Sequence, residues 1–546
     1  MGVPSAHVDT FARDNLPPID QWPVFLFDHP TPAYPERLNV TAELVDRRVD
    51  QGAGDWPAVA DLKANWTYAE LQRQIDAFAH VLVGRYGLVP GNRVLLRAPN
   101  NPMLVALYLG ALKAGAVVVA TMPLLRRREL RFIIDKAKIG LAFCDDRLLA
   151  ELQRAAGEAE TPVRVVPFGG ERNDDLSREL ASLPADAGPF PPCDTAADDV
   201  CLIAFTSGTT GTPKATVHFH RDLLATCDTY GRHVLKANAS DIFIGSPPVA
   251  FTFGLGGLVL FPLRIGASTI LLEKAGPPEL LEAIRAAKPT ICFTAPTAYR
   301  RLLELMRSGD MASLRRCVSA GETLPAAIFH DWKAATGIEI MDGIGSTEML
   351  HIFIGAPPER IRAGATGLPV PGYEARVLAE DGGEADADEI GLLAVRGPTG
   401  CRYLADPRQK DYVQDGWNIT GDLYRKDDDG YFWYVSRADD MIVTAGYNVG
   451  APEVEAVLLA HPAVAECGVV GVPDSERGQI VRAYVVLKHG ESAGPEMVET
   501  LRDFVKSEIA PYKCPRQIIF VESLPRTETG KLQRFQLRQD AKAYPR

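Results

Sequence analysis

Up to about residue 370, short apolar runs alternate with longer amphipathic stretches. "NRVLLRAP", "AGAVVVATMP", "IGLAFCDD" and "PVRVVPF" have the length and β-branched content of strands, and "YAELQRQIDAFAHVLVGRY" and "NPMLVALYLGALKAG" read as the helices between them. The texture returns after residue 200 in "VCLIAFTS", "DIFIGSPP", "ASTILLE", "PTICFTAP" and "RRCVSAGE". Strand–helix alternation predicts parallel sheets with crossover helices, here in two α/β lobes. Beyond residue 370, "YEARVLAEDGGE", "GLLAVRGP" and "DDDGYFWYVSRADDMIVTAGYNV" are short strands with Asp/Gly turns, which predicts a small β-rich lobe. The C-terminal stretch reads as a compact α+β unit. Its helices are "APEVEAVLLAHP" and "PEMVETLRDFVKSEI", and its strands are "AVAECGVVGVP", "VRAYVVLK" and "RQIIFVES". The break falls near "SRADD", which divides the chain into residues 1–438 and 439–546.

A chain of 546 residues exceeds one hydrophobic core, in keeping with several lobes. With 46% apolar and 23% charged residues it is ordinary for a soluble globular protein, and a net charge of −12 argues against nucleic acid as a partner. The nine cysteines include no Cys-x-x-Cys pair, so neither a zinc site nor a thioredoxin motif is offered; reduced, buried thiols in a cytoplasmic protein fit better. The N-terminus lacks a secretory pattern. "MGVPSA" matches a myristoylation start only superficially, with no polybasic second anchor. No apolar run reaches the roughly 18 residues of a membrane span, so no membrane partner is expected.

"AFTSGTTGTPKAT", residues 204–216, crowds hydroxyls and glycines around one lysine directly after an apolar run. Such a loop suits an anion, because glycine lets backbone N–H groups turn inward and Ser/Thr hydroxyls add donors. The spacing is not that of the common P-loop, since Gly208 to Gly211 is too short and Pro213 stands where a second Gly belongs. A Thr-rich turn after a strand would account for the loop taken alone.

Other motifs follow in a fixed order: "GIGSTEML", "GWNITGDL", "SRADDMIVTAGYNVGAPEVE" and "PRTETGKLQR". Together they resemble the adenylate-forming superfamily of acyl-CoA synthetases, amino-acid adenylation domains and luciferases, over nearly the whole chain. "SAGETLP", "DGIGSTEMLHIF" and "LPVPGY" look most like benzoate– and 2-aminobenzoate–CoA ligases. The resemblance implies a large N-terminal α/β domain and a small, mobile C-terminal domain hinged at Asp439. It implies ATP, Mg²⁺ and coenzyme A as co-substrates and cofactor, an aromatic acid as substrate, and a monomer or homodimer. Thr206, Ser207, Gly208, Thr209, Thr210, Gly211 and Lys214 would then hold the β- and γ-phosphates. The family usually has Gly after that lysine, where this chain has Ala215.

The implied chemistry has two steps. A carboxylate attacks the α-phosphorus of ATP to give an acyl-AMP and pyrophosphate, and a thiol then displaces AMP. The first step joins two anions, so the site must supply positive charge and alignment. The resemblance gives the charge to Lys531, the metal to Glu348 and the α-phosphate to Thr347. Asp422 and Arg437 would meet the ribose, and Gly321, Glu322, Asp342 and Gly343 the adenine. A solvated basic tail is the alternative for Lys531, and local turn caps for Glu322 and Asp342. Gly446 in "TAGYNVG" would line a pantetheine tunnel once the small domain has turned.

For the acid, Ala250, Phe251, Thr252, Phe253, Ile344, Gly345 and His351 make an apolar lining with a few polar tips, as a flat uncharged ring requires. Plain core is the alternative for the phenylalanines and for the histidine. His218 and His220 read as structural. Arg126–Arg128 read as a solvated helix face, with contact to the CoA 3′-phosphate as the other possibility. The expected activity is an aryl-CoA ligase, on 2-aminobenzoate first and benzoate next. An aryl adenylation enzyme that loads a carrier protein and a non-catalytic nucleotide-binding regulator are the alternatives. Intact Lys531, Glu348 and Asp422 speak against the last.

Overall fold

The computed structural model describes residues 3–27, 33–184, 187–206, 213–444, 447–474, 477–526 and 531–543. Helix Tyr68–Tyr86 shows how directly the sequence writes its elements. Thr67 accepts from the Glu70 N–H at 3.2 Å while the Glu70 carboxylate accepts from the Thr67 N–H at 2.9 Å, and Gly87, at φ 63°, ends the helix. Its buried face, Leu71, Ile75, Phe78, Ala79 and Leu82, packs into the largest core.

Two α/β sheets carry the large domain. The first runs in the order Arg164–Phe168, Leu141–Asp145, Arg93–Arg97, Val117–Thr121, Val200–Thr206, Lys214–Phe219, parallel except for the last pair. The second has nine strands. Its parallel centre holds Ile340–Gly345, Arg316–Ser319, Ile291–Thr294, Ile242–Gly245, Ser268–Ile270 and Pro57–Ala60.

The lobes interleave along the chain, which the repeated sequence texture does not reveal. Val200–Thr206, which looks like the start of the second lobe, completes the first sheet. Pro57–Ala60 and Asn65–Thr67, near the N-terminus, close the edge of the second. Local pattern sets the strand, whereas its sheet is set by which apolar face it can bury.

An antiparallel sheet of Glu374–Leu378, Gly391–Arg396, Trp417–Lys426, Val413–Gln414 and Phe432–Arg437 forms the β-rich lobe. The next sheet begins after the short turn Ala438–Asp440. It contains Ile442–Thr444, Tyr447–Val449, Val464–Asp474, Gly478–Leu487 and Gln517–Phe520 and has cores of its own around Val454, Val469, Leu501 and Leu537. All nine cysteines are unpaired, and eight of them are buried. Among the described residues no helix is long and apolar enough to cross a membrane.

Candidate active site

Thr206 and Lys214 face each other at the open end of the hairpin Val200–Thr206/Lys214–Phe219, so the loop between them springs from a rigid edge of the first sheet. Ser207, Gly208, Thr209, Thr210 and Gly211 lie outside the described residues, as does Gly446. Ala215, the departure from the family pattern, points its methyl into the first lobe's core and not toward the loop. Lys214 Nζ donates to the Tyr403 hydroxyl at 3.2 Å and lies 5.0 Å and 5.7 Å from the centres of the Tyr403 and Tyr412 rings.

The Thr347-Glu348 pair follows strand Ile340–Gly345. Glu348 is buried and accepts from the Tyr403 hydroxyl at 2.6 Å. The Thr347 carbonyl accepts from His218 Nε2 at 2.8 Å, so the histidine read as structural holds the backbone of this motif. Sequence reasoning missed Tyr403, Tyr412 and this use of His218. Tyr403 stands in "GCRYLADP", 55 residues from Glu348, and only the sheet packing brings them together.

The residues expected to meet the nucleotide come from the nine-stranded sheet (Gly321, Glu322, Asp342, Gly343) and the β-rich sheet (Asp422, Arg437), with Lys531 from the C-terminal domain. Gly321 takes φ 91°, and a β-carbon there would lie 3.7 Å from Lys531 Cε. Burial raises the pKa of Glu322, against the pull of Arg526 and Lys531. Arg526 pairs with Glu322 at 3.3 Å and with Glu466 at 2.8 Å, bridging the large domain and the C-terminal sheet. Asp422, opposite Arg437 in the sheet, accepts from its guanidinium at 3.1 Å. Arg437 Nε also lies 3.5 Å from Asp439. Burial raises the pKa of Asp422, opposed first by Arg437 and more weakly by Lys531. The Lys531 charge thus bears on both Glu322 and Asp422.

Asp342, on strand Ile340–Gly345, has a buried Oδ1 without a hydrogen-bonding partner among the described residues. Burial pushes its pKa up to about 8, against the pull of the Gly343 and Leu324 backbone N–H groups. Between the ordinary 3.8 and about 8, the folded chain keeps a proton that the unfolded chain has released, so stability falls as pH rises through this window. Asp342→Asn should remove that loss. Its Tm should exceed the parent's at pH 8, and by less at pH 5. Thermal melts at the two pH values check this.

His351 is buried in a cage of rings. Its centroid lies 4.6 Å from Phe261, 5.3 Å from Tyr230, 5.7 Å from Phe253 and 6.5 Å from Phe293. Neither ring nitrogen has a hydrogen-bonding partner among the described residues. Burial holds its pKa down to about 3, against a weaker opposing pull from the Phe253 backbone, so the imidazole is neutral. Gly256 makes room for it, since a β-carbon there would come within 2.3 Å of His351 Cδ2. Thr252 is buried beside Phe253, while Ala250 and Phe251 are partly exposed. Ile344 packs against the main core. A Gly345 β-carbon would lie 2.6 Å from the His351 carbonyl oxygen. Phe261, Phe293 and Tyr230 belong to this cluster; the first two sit in apolar stretches and the last in the mixed segment Cys227–Leu235, and none gave a cue.

The chain matches the AMP-binding enzyme family over residues 45–403 and the AMP-binding enzyme C-terminal domain over 453–531. It is 36% identical to a benzoate–CoA ligase of Thauera aromatica, over 92% of this chain and 96% of that protein. With a 3-hydroxybenzoate–CoA ligase of an Aromatoleum species it shares 33% identity, over 93% and 97%. A crystal structure of an anthranilate CoA ligase in complex with anthranoyl-AMP superposes with TM-score 0.89 at 34% identity, covering 93% of this chain and 98% of that one. A benzoate CoA ligase from Burkholderia xenovorans gives TM-score 0.84 at 32% identity, over 92% and 100%. The chain belongs to the AMP-binding enzyme family, among the AMP-forming acid–CoA ligases that use ATP, Mg²⁺ and coenzyme A.

Proposed function

We propose that this ligase activates an aromatic carboxylic acid, 2-aminobenzoate in preference to benzoate, and passes it to coenzyme A. The observation that carries the aromatic reading is the ring cage around a neutral, buried His351. A flat apolar acid would suit a lining of this kind, and a polar ring substituent would offer a partner to a buried imidazole nitrogen. Relatives named for benzoate, 3-hydroxybenzoate and anthranilate agree with this class.

In the first half-reaction the acid's carboxylate oxygen attacks the α-phosphorus and pyrophosphate departs. Lys531 offers a compact positive charge to both anions. Asp422 accepts from the ribose hydroxyls, with Arg437 orienting its carboxylate. Gly321, Glu322, Asp342 and Gly343 border the adenine. Glu348 suits Mg²⁺, which takes one or two carboxylates, keeps waters and binds phosphate oxygens. Its carboxylate sits one hydroxyl away from Lys214, at the root of the phosphate loop. When bound, Mg²⁺ neutralises the triphosphate's charge. In the second half-reaction the CoA thiol, giving up its proton, attacks the carbonyl and AMP leaves. Residues 1–438 would bind nucleotide and acid, and residues 439–546 would turn about Asp439 between the steps.

Specificity constants for benzoate, 2-aminobenzoate and 2-hydroxybenzoate, from CoA-dependent AMP formation, test the substrate reading. We expect 2-aminobenzoate to lead benzoate by about tenfold or more, the scale set by leaving a buried polar atom unpaired. Benzoate ahead by about that factor would refute the preference.

A further inference from the structure

We infer that Tyr403 is a positioning residue for the triphosphate end of the site: its hydroxyl ties the Glu348 carboxylate to the Lys214 ammonium. The inference rests on the reading of Glu348 as the carboxylate toward Mg²⁺. A phenol has one proton and two lone pairs. Here the proton goes to Glu348 Oε1 at 2.6 Å, which leaves a lone pair for Lys214 Nζ at 3.2 Å.

The ring is fixed on every side. It is fully buried and meets the Tyr412 ring edge-on at 5.7 Å. Its backbone N–H donates to Gln409 Oε1 at 2.9 Å, and the Gln409 amide donates to the Gln21 and Cys401 carbonyls. The Leu404 N–H donates to the Ala215 carbonyl and the Val217 N–H to the Arg402 carbonyl, lacing residues 402–404 onto the strand that carries Lys214.

The preceding residue serves the same motif by another route. Arg402 is ion-paired with buried Asp222, which lies 3.7 Å from His218, the donor to the Thr347 carbonyl. Consecutive residues Arg402 and Tyr403 thus brace consecutive residues Thr347 and Glu348. A phenylalanine would fill the core equally well. It would, however, leave the buried Glu348 carboxylate without this donor.

The test is Tyr403→Phe in the full-length enzyme, with Mg·ATP and AMP binding measured by calorimetry without the acid. Mg·ATP should bind about tenfold more weakly, the scale of one hydrogen bond to a charged group, while AMP affinity stays unchanged. Adding Tyr403→Phe to Glu348→Ala should cost nothing further, because the two act through one contact. Equal weakening toward AMP and Mg·ATP would show a scaffold role only and overturn the inference. So would normal Mg·ATP binding by Tyr403→Phe alongside impaired binding by Glu348→Ala. Normal binding by Glu348→Ala would remove the metal reading itself, and the inference with it.

Discussion

Replacing Lys531 by Ala should slow acyl-AMP formation by about 10²–10³-fold and spare thioester formation from supplied acyl-AMP. The ammonium is the charge on the C-terminal domain that the structure brings within reach of both Gly321 and the Asp422 carboxylate. Acid and α-phosphate are both anionic, so a preorganised cation between them acts most strongly as the new bond forms. In the second half-reaction the charge problem is gone, because acyl-AMP is already an activated carbonyl. Pyrophosphate release without CoA, and CoA thioester formation from synthetic acyl-AMP, separate the two steps. An equal loss in both would contradict the assignment of Lys531 to the first step alone.

Asp439→Pro should divide the reaction the other way. The residue sits in the three-residue turn Ala438–Asp440, between the last strand of the β-rich lobe and the first of the C-terminal sheet. Proline holds φ near −65°, a value that a 3₁₀ turn accommodates and that a large rotation about this residue does not. Acyl-AMP formation should persist. Overall CoA thioester formation should fall by about 10²-fold, the cost of holding reacting groups out of alignment. Single-turnover measurements of both products, with a melt to confirm the fold, decide it. Normal overall turnover would mean that no rotation occurs at this residue.

The strands and helices were legible because each is a local statement: the Thr67–Glu70 cap, the apolar run of Val117–Thr121, the amphipathic face of Tyr68–Tyr86. Sheet membership was not, since joining Pro57–Ala60 to Ser268–Ile270 depends on contacts some two hundred residues apart. The site follows the same division. Glu348, Asp422 and Lys531 stand in compact motifs, and a resemblance could find them. Tyr403, His218 and the aromatic walls Phe261 and Phe293 act from places whose local sequence says only "strand" or "core". Their roles come from what lies across the fold.

The shared guanidinium of Arg437 has a thermodynamic consequence. One cation serves Asp422, the carboxylate proposed to meet the ribose, and Asp439, at the turn between the domains. A rotation that carried Asp439 away would return the whole cation to Asp422 and change how firmly that carboxylate accepts a ribose. Linkage makes the effect mutual: whatever a domain orientation adds to ribose affinity, bound ribose adds to that orientation, by the same factor. Domain state and nucleotide occupancy would thus be two readings of one equilibrium, joined through a single side chain.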